Sequence, residues 1–372
     1  MSLLDDRAVA QRILDHIDHK TTDRGREVWR EPVANYRSPE RQAREIERVF
    51  RTLPSAFCPS AALTEVGSFV AREAAHTAIL AVRGADRKVR AFRNACRHRG
   101  SQVASGCGRK NAFVCPYHGW AYGLDGSLKN IPHEDGFPGL NKSEHGLVEV
   151  PAIEHGGVVF IVQKPTSGSP FAELADVPML LPEDLSLVSA TQQETQANWK
   201  IAAEGFLEGY HIYATHRETF FPVQFDNLNV VEQFGRNNRV TFPYRNVQKL
   251  RTVAPSDRRI EGTLTYVYHL FPNAIVATFP QRVVMVVLEP LDASRTNFVN
   301  YTLAKGETLQ VNVGAVERDT DFVNAGAKED RAVVESIQRG LSSGANDAFT
   351  FGHFESAIVH FHRELHALLG AS

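Results

Sequence analysis

The sequence predicts an α+β protein: a small all-β module followed by a larger domain in which an antiparallel sheet packs with helices. Three observations carry that expectation. Between about Ala61 and Pro165 the chain breaks into short β-rich runs, Thr77 to Val82, Val89 to Asn94, Leu147 to Val150 and Gly157 to Val162. Turn residues such as Gly84-Ala85-Asp86 and Leu124-Asp125-Gly126 separate them. The stretch from Lys164 to Pro170, rich in Pro, Ser and Gly, reads as a linker. Beyond it come longer β runs, Val240 to Tyr244, Thr263 to Leu270, Ile275 to Phe279, Val283 to Leu288 and Phe298 to Leu303, and then a helical pattern from about Phe354 to Leu369.

A chain of 372 residues has room for two cores. Apolar content of 43% and charged content of 23% fit a soluble globular protein, and a net charge of −2 gives no reason to expect nucleic acid or an anionic membrane as partner. The longest aliphatic-or-Met run, Val283 to Leu288, is far too short to span a membrane. Met1 to Asp6 is acidic early and lacks an apolar signal core, so a cytoplasmic location is expected. At the N-terminus Leu4, Ala8, Ile13 and Ile17 recur at loosely helical spacing. Ser38-Pro39-Glu40 marks a further helix start, with Ser38 as cap and Pro39 in the first turn, where its missing N–H costs nothing. Ala43, Ile46, Val49 and Phe50 give that helix one apolar stripe. The expected divisions are a helical segment over 1–40 packing on the larger domain, the all-β module over 41–165 and the larger domain over 166–372.

Within the all-β module stand Cys96-Arg97-His98-Arg99-Gly100 and Cys115-Pro116-Tyr117-His118-Gly119-Trp120, together C-x-H-x16-C-x2-H. Two loops, each offering one thiolate and one imidazole, suit a 2Fe–2S cluster with Cys96 and Cys115 on one iron and His98 and His118 on the other. The glycines after each His let the loop backbone turn tightly. Four such ligands could also make a structural zinc site, although those more often open with C-x2-C. The stretch resembles the Rieske family, and it lacks the extra cysteine pair of the respiratory branch, since Ser101 and Tyr117 stand there. Trp120 and Tyr122 are expected to pack beneath the cluster. Cys58 and Cys107 remain as free thiols, in keeping with a reducing compartment.

The second constellation is Asn198-Trp199-Lys200, then Glu204, Glu208, His211 and His216. Glu204, Glu208 and His211 fall at helical spacing, on one face. His216 lies five residues past His211, about 140° round an unbroken helix, so the two imidazoles share a metal only if the helix ends or distorts near Tyr213. Two His and one carboxylate would suit non-haem Fe(II) with positions open for O2 and substrate. The segment resembles the iron-binding stretch of Rieske non-haem iron oxygenase large (alpha) subunits, and the resemblance covers essentially the whole chain. It implies His211 and His216 as iron ligands and Glu208 as the acidic link to a neighbouring subunit's cluster. Glu208 stands where many members, the ring dioxygenases above all, carry Asp; some demethylating and quaternary-amine-oxidising members use Glu. Asp319, Asp321, Glu329, Asp330, Glu335 and Asp347 are candidates for the carboxylate. The run from Lys328 to Gly340 resembles the family's Asp-x4-Glu helix start, which implies Asp330 as ligand with Glu329 as the alternative.

The resemblance further implies a catalytic domain of the helix-grip type and an oxygenase component fed from NAD(P)H through a separate reductase, with or without a ferredoxin. It also implies a homotrimer, with or without a small beta subunit. The expected activity is hydroxylation or dihydroxylation of an aromatic substrate. The alternatives are oxidative N- or O-demethylation, quaternary-amine monooxygenation or, in a different class, electron carriage alone. Phe206, Leu207, Phe220, Phe221, Phe225, Leu228 and Met285 are expected around an apolar cavity, and Arg245, Lys249 and Arg251 form a basic patch.

Overall fold

The computed structural model describes residues 3–305 and 313–370, with side chains left undescribed over 313–320. Contacts divide the chain into Phe50–Glu183 and a unit made of Met1–Val49 with Asp184–Ser372. The helix that Ser38 starts therefore lies with the larger unit, and the Pro-rich stretch after Lys164 with the smaller.

The smaller unit is all β apart from short 3-10 turns. A five-stranded sheet runs in the order Glu149–Val150, Val89–Arg93, Thr77–Arg83, Ser68–Ala74, Gly106–Arg109. A three-stranded meander, Phe113–Val114, Ala121–Tyr122 and Leu128–Asn130, carries the second Cys-His loop in its first turn. Leu80, Val82, Phe92, Phe113, Trp120 and Tyr122 share one core with both cluster-type cysteines, so the loops rest on a packed base.

In the larger unit α1 spans Asp6–His19, capped by Asp5, and buries Val9, Ala10, Ile13 and Leu14. The Ser38 side chain accepts the Arg41 N–H at 3.0 Å to start α2, Pro39–Glu45. The Asn198-Trp199-Lys200 run starts α3, Trp199–Glu204, with the Asn198 side chain accepting the Lys200 N–H at 3.0 Å. Trp199 and Lys200 then reach back to α2. The indole N–H donates to Glu45 at 2.8 Å, and the ammonium contacts both Glu45 oxygens at 3.0 and 2.8 Å. Glu45 and Lys200 are essentially unexposed, so this ion pair fastens the N-terminal helices to the segment that leads into the iron-type site. Lys200→Met should lower stability by about 3 kcal/mol in denaturant titration, because it removes the buried ammonium from Glu45 and leaves Arg41 as its cation among the described residues.

The sheet of this unit has seven antiparallel strands: β1 Leu185–Thr195, β2 Val230–Phe234, β3 Asn237–Pro243, β4 Leu264–Leu270, β5 Ala274–Thr278, β6 Val283–Asp292 and β7 Arg295–Lys305, ordered β1-β7-β6-β5-β4-β3-β2. The five runs read from sequence correspond to β3 to β7, while β1 and β2 have no counterpart among them. The expected single helix through His211 is not formed. α3 ends at Glu204, and a separate turn, α4, Ile212–Thr215, follows. Lys328 to Gly340 is not a helix start either; it is the second half of α5, Val313–Gly340. α6, Ser356–Leu369, packs on β2 and β3, and α3 packs between β6 and α5. Among the described residues no helix is long and apolar enough to cross a membrane.

Candidate metal centres

The two Cys-His loops of the smaller unit are built alike despite their different spacing. The Cys96 N–H donates to the Ser101 carbonyl and the Gly100 N–H to the Cys96 carbonyl, both at 2.8 Å. Cys115 repeats this with Trp120 at 2.8 Å and Gly119 at 3.0 Å. Each loop closes through a glycine with positive φ, +81° at Gly100 and +73° at Gly119, which a side chain would strain. The thiols are buried, whereas His98 is half-buried and His118 exposed. The two Nδ1 atoms stand 3.1 Å apart, converging on one point. Burial disfavours the Cys115 thiolate, but the Tyr117 and His118 N–H groups and the Cys96 and Ser101 side chains outweigh it and lower its pKa. Two buried thiols behind two convergent imidazoles fit the donor set of a 2Fe–2S cluster.

Trp120 and Tyr122 are buried in the core that also holds Cys96 and Cys115. His98 stacks on Trp120 with centroids 5.0 Å apart. The Tyr122 hydroxyl accepts the Arg97 N–H at 2.9 Å, so its own proton is free to donate to Cys96 Sγ at 3.2 Å. Burial, then Cys96, raises the phenol above its usual pKa and keeps that proton in place. A donor to a ligand sulfur stabilises the reduced, more negative cluster. Tyr122→Phe should therefore lower the reduction potential with the cluster intact, measured by redox titration of the absorbance; an unchanged potential would count against this contact.

In the larger unit the early end of α3 brings the second set together. His211 precedes α4 and His216 caps its far end, so a single short turn separates the rings, whose centroids lie 5.1 Å apart. Asp330 on α5 faces both: its Oδ1 lies 2.9 Å from His216 Nε2 and 3.7 Å from His211 Nε2. The outer nitrogens are held by two glutamates. Glu329 accepts from His216 Nδ1 at 2.8 Å and from the Thr219 hydroxyl at 2.6 Å. Glu208 contacts His211 Nδ1 with one oxygen, while the other accepts the Tyr210 and His211 backbone N–H groups. Burial opposes protonation of His211, but Glu208 and then Asp330 outweigh it and raise its pKa. With both Nδ1 protons turned toward carboxylates, each Nε2 offers its lone pair inward beside Asp330. That is a two-His, one-carboxylate face.

Of the other candidate carboxylates, Asp321, Glu335 and Asp347 do not join this group, and the Asp319 side chain lies outside those described. Glu204, expected on the same face, turns away to Tyr36 at 2.7 Å and His362 at 2.8 Å. Neighbours on one helix thus take different contacts, Asp330 facing both Nε2 atoms and Glu329 holding His216 Nδ1, a division that no sequence signal marks.

A cavity of about 500 Å³ opens against His211, His216 and Asp330. Phe206 and Phe220 line it as expected, joined by Phe242, Phe279 and Phe298. Met285 does not, because Val284 and Val286 take the cavity side of β6 and leave Met285 in the core behind. Leu207, Phe221, Phe225 and Leu228 are also absent from the lining, as is the Arg245 to Arg251 patch, where Arg251 pairs with Asp18. The cations at the cavity are Arg282 and Arg331. One wall is polar: Ser189, Thr191 and Gln193 alternate along β1 opposite Thr302, Asn300 and Phe298 of β7. The alternation Ser-x-Thr-x-Gln-x-Thr over 189–195 was the signal that could have disclosed it.

With both centres described, comparison with known proteins gives a consistent result. The family described as "Ring hydroxylating alpha subunit (catalytic domain)" matches residues 182–371, and the "Rieske [2Fe-2S] domain" matches residues 55–150. The chain belongs to the Rieske non-haem iron oxygenases, an oxidoreductase family whose cofactors are a Rieske 2Fe–2S cluster and a mononuclear iron. A colourless zinc-stabilised module and a lone electron carrier are thereby set aside. The chain is similar to the carnitine monooxygenase oxygenase subunit of Escherichia coli (strain K12), 30% identical over 91% of this chain and 93% of that protein. It is also similar to the chloroplastic choline monooxygenase of Atriplex hortensis, 27% identical over 91% and 77%. Among solved structures, a quaternary ammonium Rieske monooxygenase in complex with L-carnitine matches with TM-score 0.80 at 22% identity over 99% of both chains. Naphthalene 1,2-dioxygenase from Rhodococcus sp. matches with TM-score 0.77 at 19% identity over 100% of both. At those identities the two structures show a shared fold.

Proposed function

We propose that this protein is the oxygenase component of a quaternary-amine monooxygenase system, with Cys96, His98, Cys115 and His118 holding the cluster and His211, His216 and Asp330 holding the iron. The aromatic hydroxylation expected first is less well supported. The relatives at 30% and 27% identity are named for carnitine and choline, whereas the naphthalene enzyme, at 19%, shares the fold. The observation that carries the reading is the cavity itself. Five Phe rings can face a methylated ammonium, which is attracted to aromatic faces and offers no N–H to bond. The Ser189-Thr191-Gln193 wall, with Asn300 and Thr302, can hold a polar substrate tail, which a fused-ring hydrocarbon lacks. Arg282 and Arg331 can meet a carboxylate on that tail.

When bound, the cluster supplies single electrons and the iron activates O2, so that one oxygen atom enters the substrate and the other leaves as water. The chain's own residues orient and exclude. Glu208 and Glu329 hold the imidazoles of His211 and His216, Asp330 completes the ligand face, and the Phe lining keeps bulk water from the reacting C–H bond. We further propose a cytoplasmic homotrimer fed by a separate NAD(P)H reductase, in which Glu208 links the iron site of one subunit to the cluster of the next. The test is binding of choline or carnitine against neutral isosteres with carbon in place of the quaternary nitrogen. Loss of the cation–π contribution should weaken the neutral ligand roughly 10- to 30-fold by calorimetry. Equal affinities would contradict the aromatic site.

A further inference from the structure

A second group with the same two-His, one-carboxylate composition lies elsewhere in the larger unit. His362 and His366 stand one turn apart on α6, the i, i+4 spacing that lets two imidazoles share a cation. Glu31, from the strand Trp29–Pro32, meets them; ligand atoms of all three lie within 4.8 Å of one another. None of the three lines the 500 Å³ cavity, so the group has no part in the site described above.

The surroundings are those of a built site. Glu31 is 1% exposed and takes the Trp29 indole N–H at 3.0 Å and the Asn35 amide at 2.6 Å, which fix its orientation. His362 is fully buried, and its Nε2 lies 2.8 Å from Glu204 Oε1 and 3.1 Å from the Tyr36 hydroxyl. Its Nδ1 has no hydrogen-bond partner and points toward Glu31 Oε2 at 3.5 Å. His366 Nε2 stands 3.0 and 3.1 Å from the Glu31 oxygens. Two buried carboxylates, Glu31 and Glu204, thus flank one imidazole whose inner nitrogen satisfies nothing. For N and O ligands about 2.1 Å from a tetrahedral ion, neighbouring donors are separated by roughly 3.4 Å. The 3.5 and 3.0 Å separations bracket that edge. Glu204 braces His362 from outside as carboxylates brace metal-bound histidines.

We propose that Glu31, His362 and His366 form a second, non-catalytic site for a divalent cation, of the N,N,O chemistry that takes Zn2+. Water completes the coordination on the side where His366 reaches solvent. The cation would fasten the N-terminal strand to α6 and neutralise the buried carboxylates.

The test is metal analysis of the holoprotein after equilibration with micromolar Zn2+ and desalting. The expected result is about one Zn per chain beside a full complement of iron, with light scatterers at about 2.0–2.1 Å and imidazole outer shells in Zn-edge X-ray absorption. His366→Ala and Glu31→Gln should each lose the Zn while keeping the cluster absorbance and all the iron; Asp330→Ala should lose one iron and keep the Zn. Should the Glu31 and His366 variants fail to fold, the wild-type Zn and iron counts decide alone. Absence of retained Zn would overturn the proposal, leaving His362 between two glutamates without a metal. So would Zn that displaces iron one for one, or Zn that survives in folded His366→Ala.

Discussion

Asp330→Ala should lose the mononuclear iron and all turnover while keeping the cluster's visible spectrum, because cluster-type and iron-type ligands belong to separate units. Among the described residues, the carboxylate is the one group whose oxygen faces both Nε2 atoms, at 2.9 and 3.7 Å. Without it two neutral imidazoles remain, a far weaker set for a hard divalent ion. Glu329→Gln should act differently. It weakens the brace on His216 Nδ1 and the contact with Thr219, so iron affinity should fall about 10- to 100-fold and be restored by excess Fe(II). Iron titration followed by turnover separates the two. If Glu329→Gln empties the site irrecoverably while Asp330→Ala keeps its iron, the assignment is reversed.

The second large effect is at Glu208. Both of its oxygens act as acceptors, one toward His211 Nδ1 and the other toward the Tyr210 and His211 backbone N–H groups. A glutamine there has one acceptor and one donor end, so in either orientation its NH2 confronts an N–H. Glu208→Gln should therefore misalign His211 and remove the negative charge together. Turnover should fall by about 10- to 100-fold or more, with cluster and iron retained. Stopped-flow oxidation of the pre-reduced cluster, with substrate and O2 present, reads the loss directly. Wild-type speed in this variant would remove Glu208 from the path.

The cluster motif was legible because its chemistry is local: Cys96 and His98, like Cys115 and His118, sit within one tight turn each, so spacing in sequence is spacing in space. His211 and His216 were legible only conditionally. An unbroken helix would have parted them, and the break came at Gly205, earlier than the Tyr213 region where it was sought. Gly205 and Gly209 are the local marks of that break, and Glu204 is drawn away by Tyr36 and His362, residues 168 and 158 positions distant. Asp330 could be chosen only by resemblance, because six downstream carboxylates were chemically equal. β1 escaped notice because Ser-Ala-Thr-Gln-Gln-Glu-Thr is polar on both faces, its inner side lining a cavity in place of a core. The run Val283 to Leu288 disclosed a strand but not its facing. With apolar residues throughout, nothing in it distinguishes Met285, in the core, from Val284 and Val286 at the cavity.

Coupled turnover reads monooxygenation of a quaternary amine at the His211-His216-Asp330 centre without intermediaries. The iron-replete protein, a surrogate reductase and NADH would be offered choline, carnitine, other methylated quaternary amines and naphthalene in turn. O2 uptake, peroxide and product would be followed together. The expected result is a hydroxylated or dealkylated product from at least one quaternary amine, close to one per O2 consumed, and none from naphthalene. A cis-diol from naphthalene, with only uncoupled peroxide from the amines, would contradict it.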